Sequence, residues 1–407
     1  MTATTRGQRR ATERGGGRRM IGATFCSGIG APEAAAPWVD WRLASEIEPF
    51  PRAVLQERFG YRLPEVHNQG EPLLWGDMTE VTPELLRSRG IPLPDLIVAG
   101  TPCQAFSVAG ARKGLADARG NLTLAFVEIC HAIVAARPDG KLAILWENVP
   151  GVLSDKGNAF GCFLGGLVGA VDALPPPADG SWPGEGMVQG PRARAAWSVL
   201  DAQWFGVAQR RRRVFVVVDF GNCVDPAAVL LEPDRLRGDS PPRREAGQGA
   251  APTLSARTKG GGGLGTDFDC DGGLIASTDG THPTLRSMGH SASHQNAGGH
   301  AAVAFQERGR SDGRSLEWQN EVAYALTSPN GGGRAQERNI ATPWAVRRLT
   351  PTETLRLQGF SDTHTAITYR GKPAADGPQY RAHGNSMAVP VIRWIMDRMR
   401  LSMEGMA

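Results

Sequence analysis

The sequence predicts an α/β protein with a mostly parallel sheet and a second, smaller domain late in the chain. Three observations carry this reading. From Met20 to Phe220, short apolar runs alternate with stretches of helical periodicity, the pattern of strand–helix–strand units. Two of those runs lead straight into chemistry-bearing residues. Leu96 to Ala99 is followed by Gly100-Thr101-Pro102-Cys103-Gln104, and Leu142 to Trp146 by Glu147-Asn148-Val149. After Phe220 the composition shifts to Gly, Ser, Thr, Asn and Arg with little periodicity. Ligands collect at the carboxyl ends of strands in open α/β sheets, so Cys103 and Glu147 are candidates for one site.

Taken in order, residues 1–19 are rich in Arg, Gly and Thr and read as a disordered basic tail. A first domain is expected over 20–220. Its strands fall at Met20–Phe25, Arg42–Ser45, Leu96–Ala99, Leu142–Trp146 and Val214–Val218, and its helices at Phe50–Phe59, Leu122–Ala136 and Phe160–Ala173. The Pro- and Gly-rich stretch from Leu174 to Pro191 reads as a loop. A second domain is expected over 221–346. A weak repeat runs through it, in Ala251-Pro252-Thr253-Leu254, His282-Pro283-Thr284-Leu285 and Ala323-Tyr324-Ala325-Leu326, each copy preceding a glycine run. Each copy reads as a short strand and a loop. The alternative is a linker, but a long structureless insert in a compact enzyme is unusual unless it is functional. Helical periodicity returns at Pro351–Leu357 and Val389–Met399, so 347–407 are expected to fold back onto the first domain.

A chain of 407 residues suits two or three domains, and its net charge of +4 does not by itself argue for nucleic acid. Distribution says more. Arginine greatly outnumbers lysine, and Arg210 to Arg213, Arg235, Arg237, Arg243 and Arg244 cluster mid-chain, where phosphate contacts are useful. The six cysteines show no Cys-x-x-Cys spacing and read as reduced thiols of a cytoplasmic protein. No apolar run has the length of a membrane span. His282, His290, His294 and His300 lie among Gly and Ser with no cysteine partners, so no metal is expected.

Cys103 is a candidate thiolate nucleophile, with an inert buried thiol as the alternative. Glu147 is a candidate proton donor or acceptor, with a solvated loop residue as the alternative. Further motifs decide between these. Thr24-Phe25-Cys26-Ser27-Gly28-Ile29-Gly30 opens the chain's first unit, and Gln209-Arg210-Arg211-Arg212-Arg213 spells Gln-x-Arg-x-Arg. Arg348-Leu349-Thr350-Pro351 runs on to Leu357-Gln358-Gly359-Phe360, and Gly384-Asn385-Ser386 follows near the end. In this order and spacing, with the Pro-Cys and Glu-Asn-Val elements, the chain resembles the DNA (cytosine-5) methyltransferases of bacteria and phages.

The resemblance implies a Rossmann-like S-adenosylmethionine-dependent methyltransferase fold with a target-recognition domain in the 221–346 region. It implies S-adenosylmethionine as cofactor, held by Phe25, Ser27, Gly28, Gly30, Glu46, Asp77, Asn385 and Ser386. In it Phe25 stacks on adenine, Glu46 takes the ribose hydroxyls, and Asp77 takes the adenine amine. Glu33 stands where a dinucleotide fingerprint would need its third glycine, which counts against a nicotinamide enzyme. Cys103 is then the nucleophile that attacks carbon 6 of cytosine. Glu147, its pKa raised by burial, bonds ring nitrogen 3. Arg211 donates to the 2-oxo group, Arg213 orders the catalytic loop or a phosphate, and Asn148 holds the loop in shape. Asp117 to Asn121 falls where a mobile loop closes over DNA. The partner is double-stranded DNA with its target base flipped out, and a restriction endonuclease acting on the same site is a possible second partner. A monomer is expected. Methylation of a tRNA cytosine is the runner-up, but the Cys-Phe-Thr element of that branch is missing. A regulator with a dead catalytic domain is disfavoured by intact Cys103, Glu147 and Arg211.

Overall fold

A computed structural model describes residues 19–102, 122–231 and 349–405 with their side chains, and the backbone of five strands between 303 and 348. Nine strands in the first part are β1 (Ile21–Phe25), β2 (Asp40–Ser45), β3 (Leu73–Trp75), β4 (Leu96–Ala99), β5 (Leu142–Asn148), β6 (Glu185–Gln189), β7 (Arg194–Asp201), β8 (Gln209–Arg210) and β9 (Arg212–Phe220). All but β8 join one eight-stranded sheet of order β3-β2-β1-β4-β5-β9-β7-β6. The pairs from β3 to β5 are parallel; β9 runs antiparallel to both β5 and β7, and β6 antiparallel to β7. The chain winds outward from β1 in one direction and from β4 in the other. The crevice at such a reversal, beyond the strand ends, is where an open α/β sheet binds ligands.

Neighbouring residues on the central strands point to opposite faces, and both faces are covered. On one face Phe25, Ile97, Ile144, Trp146 and Val216 pack with α4 (Leu122–Ala136) and α5 (Ala159–Val168). On the other, Val98, Leu145 and Val217 meet α1 (Ala31–Ala35), α7 (Pro351–Gln358) and α9 (Val389–Met403) through Leu355, Ile392 and Met396. The late helices therefore complete the core of the first sheet. Four further helices are α2 (Pro49–Phe59), α3 (Pro83–Ser88), α6 (Pro226–Leu230) and α8 (Asp376–Asn385). Helix α7 begins with a reciprocal cap: Thr350 accepts from the Glu353 N–H, and Glu353 from the Thr350 N–H.

The sheet is mostly parallel, as expected, with antiparallel neighbours at its β9-β7-β6 end. The structure departs from the sequence reading elsewhere. The helix expected to run to Ala173 ends at Val168, because Gly169 takes φ +77° and closes it. The stretch expected as a loop contains β6, a half-exposed edge strand whose alternation is hidden among Pro and Gly. Strand β5 runs two residues further than expected, so Glu147 and Asn148 are its last residues and not part of a loop.

Between 303 and 348, β10 (Val303–Arg310), β11 (Gly313–Gln319), β13 (Arg338–Thr342) and β14 (Ala345–Arg348) form an antiparallel sheet of order β11-β10-β13-β14. The third repeat copy supplies β12 (Ala323–Tyr324), which pairs in parallel with β8 through Ala323–Gln209 and Tyr324–Arg210. The first two copies lie outside the described residues. So do Cys103, Asp117 to Asn121, Arg235, Arg237, Arg243 and Arg244, and the four histidines between 282 and 300.

Candidate active site

Strand β1 delivers its residues into a loop that turns sharply. Cys26 has φ +52°, Gly28 +55° and Gly30 +82°. The two glycines serve different purposes. A Cβ on Gly30 would lie 2.3 Å from the Phe59 ring, so this glycine lets the loop pack on α2. A Cβ on Gly28 would meet nothing within 4 Å, so this glycine faces open space and leaves backbone bare for a ligand. The Ser27 hydroxyl turns inward, 2.7 Å from Thr24 Oγ1 and within reach of the Thr24 and Ser45 carbonyls. It ties the loop to β1 and β2.

Glu46, one residue past β2, accepts the Gly28 N–H at 2.7 Å and the Glu48 N–H at 2.8 Å. Burial pushes its pKa up, while these N–H groups pull the other way. Asp77 is exposed and caps a short turn, accepting from the Thr79 N–H at 2.9 Å and its hydroxyl at 2.8 Å. A narrow cavity brings Cys26–Gly28 together with Gly100, Glu147, Asn385 and Ser386. Motifs more than 350 residues apart thus meet at the strand reversal.

Phe25 was expected to offer its ring to an adenine. The residue is completely buried, packs edge-on against Phe126 at 6.1 Å and is among the residues lining the cavity. Phe25→Ala therefore removes core packing as well as cavity lining.

Beneath the loop lies a carboxyl group that the sequence reading saw only as a misplaced fingerprint residue. Glu33 is 3% exposed, and its Oε1 accepts from the Thr24 and Tyr61 hydroxyls, each at 2.9 Å. Its Oε2 has no hydrogen-bond partner among the described residues. Burial raises its pKa from 4.5 to about 7, against the lowering effect of the two hydroxyls. Folding therefore favours the protonated form. The stability this contributes is complete below pH 4.5 and is lost as pH rises towards 7, amounting to about 3 kcal/mol. Glu33→Gln keeps the acceptor oxygen and cannot ionise, so its melting temperature is expected to fall less than the wild type's between pH 5 and pH 8. Parallel melting curves with equal slopes would show that Glu33 does not ionise in that range.

The other half of the site is built around Thr101, the residue before Pro102. Its hydroxyl accepts the Trp146 indole N–H at 2.9 Å and lies 3.0 Å from Thr123 Oγ1. Its carbonyl accepts from Asn148 Nδ2 at 3.0 Å. Thr101, two residues before Cys103 in the chain, is thus held by β5 and α4. Gly100 leaves room here for the Met387 methyl, which would lie 2.9 Å from an added Cβ. Glu147 is largely buried, and Arg213 Nε approaches its Oε1 to 3.2 Å. The approach is an ion pair without hydrogen-bond alignment, so Oε1 keeps its acceptor capacity.

The two arginines make different contacts. The Arg211 guanidinium donates to the Ser386 carbonyl at 2.7 Å and to that of Gly384 at 3.3 and 3.4 Å. Burial, with Arg213 adding to it, lowers its pKa to about 9, against the opposing effect of Glu147. Arg211 is the single residue between β8 and β9. Arg213, within β9, is the one beside the carboxyl group. Sequence reasoning missed Thr101, Thr123, Trp146 and Met387, because partners 22 to 45 residues apart leave no local pattern. Among the described residues no cluster could hold a metal ion and no helix is long and apolar enough to cross a membrane.

Comparison with known proteins agrees with this geometry. The profile of the C-5 cytosine-specific DNA methylases matches residues 35–167 and 275–400. The chain belongs to this family. S-adenosylmethionine is accordingly its cofactor. Among relatives, a protein of Escherichia phage P1 named DNA N-6-adenine-methyltransferase is 38% identical across 94% of this chain, which spans only 61% of that protein. The type II methyltransferase M.NlaX of Neisseria lactamica is 28% identical over 84% of this chain and 85% of its own. The fold is shared with a DNA modification methyltransferase encoded in an E. coli prophage, at 16% identity and a TM-score of 0.53, covering 95% of this chain and 99% of that one. The residues present fit the cofactor, because Gly28 leaves open space at the strand reversal beside a buried acid after β2.

Proposed function

We propose that the chain methylates carbon 5 of cytosine within a specific duplex DNA sequence, through a covalent bond to Cys103. The observation that carries this reading is Glu147, paired with Arg213, on the cavity that also receives Cys26–Gly28, Gly100 and Asn385–Ser386. The cofactor supplies an electrophilic methyl group. Cys103 Sγ, as thiolate, bonds to carbon 6 of the flipped base and breaks the 5,6 double bond. Negative charge moves onto ring nitrogen 3 and the 2-oxo group. We assign the Glu147 carboxyl to nitrogen 3 and, because Arg213 stands beside it, Arg213 in place of Arg211 to the 2-oxo group. Carbon 5 then carries the nucleophilic electron pair. After it is methylated, its proton leaves to solvent, the double bond returns and the thiolate is expelled.

Arg211 supports this chemistry from behind by fixing Gly384–Ser386. Phe25, Ser27 and Gly30 shape the cofactor loop, whose open backbone at Gly28, with Glu46, Asn385 and Ser386, faces the ligand. Asp77 keeps one carboxylate oxygen for an adenine amine. The region 221–346 is the proposed reader of sequence in the major groove, where each base pair is distinct. Its β12 touches the strand next to Arg211, which favours this assignment. A monomeric cytoplasmic enzyme, with or without a companion endonuclease, fits the same reading.

The name of the phage P1 relative raises adenine N-6 as a second target. An exocyclic amine attacks a methyl donor directly and needs no thiol on the ring, so adenine chemistry leaves Cys103 and the Glu147–Arg213 pair without a role. Bisulfite sequencing of host DNA after expression tests the choice. Protected cytosines in one sequence context are expected. Full conversion of all cytosines, with methylated adenines in the same DNA, would overturn the proposal.

A further inference from the structure

We propose that His383 is a positioning residue for the cofactor pocket, holding Gly384–Ser386 through a chain of buried hydrogen bonds. The inference rests on the reading that Asn385 and Ser386 face the cofactor. His383 is completely buried and immediately precedes the stretch whose carbonyls receive Arg211. Its Nδ1 lies 2.7 Å from Thr354 Oγ1 on α7, and its Nε2 lies 2.8 Å from Thr365 Oγ1.

Both hydroxyls are also tied to their surroundings: Thr365 donates to Gln379 Oε1 at 2.8 Å and Thr354 to the Pro351 carbonyl at 2.8 Å. The ring is thus clamped at both nitrogens by side chains that are themselves fixed. Gln379 Nε2 passes the chain on to the Ala374 carbonyl at 3.0 Å. The His383 backbone is gripped as well, since its carbonyl accepts from Gln358 Nε2 at 2.8 Å and from the Ser386 N–H at 3.3 Å. Ring and carbonyl together leave the next three residues one orientation. That orientation presents two carbonyls to Arg211 and presents Asn385 and Ser386 to the cavity.

Thr365→Val tests this, because it deletes the hydroxyl at nearly constant volume and leaves Nε2 without this partner in a buried site. Calorimetry with S-adenosylhomocysteine at a temperature well below unfolding is expected to show binding weakened about ten-fold or more. Thr365→Ser, which restores the hydroxyl, is expected to bind like the wild type. If Thr365→Val does not fold, Thr354→Val breaks the same chain at the other ring nitrogen and is read in the same way. A valine variant that melts earlier yet binds S-adenosylhomocysteine normally would overturn the inference and leave His383 a packing residue. A wild type that binds no S-adenosylhomocysteine would overturn the cofactor assignment, and this inference with it.

Discussion

Glu147→Gln is expected to lower the methylation rate by about 10²- to 10⁴-fold while leaving DNA and cofactor affinity close to wild type. The glutamine keeps the shape of the side chain and brings an amide NH₂ that can donate hydrogen bonds, but it has no acidic proton to transfer. As Cys103 adds to carbon 6, charge at ring nitrogen 3 goes unneutralised, and the barrier rises with it. The substitution also removes the negative partner of Arg213, which approaches Oε1 to 3.2 Å in the wild type. Single-turnover rates separate these effects from binding. A glutamine variant methylating within a factor of a few of wild type would remove Glu147 from the chemistry.

Much of the fold was legible because its elements are local. The strands at Leu96–Ala99 and Leu142–Asn148 are continuous apolar runs, as strands buried on both faces must be. The edge strand Glu185–Gln189 was not legible, because an edge needs no apolar run and this one sits among prolines and glycines. Nor was Leu73–Trp75, three residues long and too short to carry a period.

The site divides along the same line. Residue types in motifs, such as Gly28, Glu46, Glu147 and Ser386, were identified by pattern, and the sheet reversal brings most of them together. Side-chain direction was not readable from pattern. Phe25 belongs to a motif yet packs into the core against Phe126 as well as lining the cavity. Arg211 and Arg213 are indistinguishable within Gln-x-Arg-x-Arg. Only the carbonyls of a segment 173 residues away give one a clasp, while the other takes the carboxyl group. Glu33 and His383 belong to no motif of the chemistry, and both emerged from buried hydrogen-bond geometry.

The second large effect concerns Cys103. Cys103→Ser is expected to abolish methylation, because a hydroxyl has no accessible anion at neutral pH to add to the ring. DNA binding should persist, since it rests largely on phosphate contacts elsewhere. The same residue gives the most direct test of the account, a covalent trap. Fluorine at carbon 5 of the target cytosine blocks the proton loss that releases the enzyme. Wild-type protein incubated with duplex DNA containing 5-fluorocytosine and S-adenosylmethionine is expected to remain attached through denaturing electrophoresis, with the bond mapping to Cys103. Cys103→Ser should leave no attached species. Methylation by the serine variant at near wild-type rate, or an adduct mapping to another residue, would contradict the mechanism at its centre.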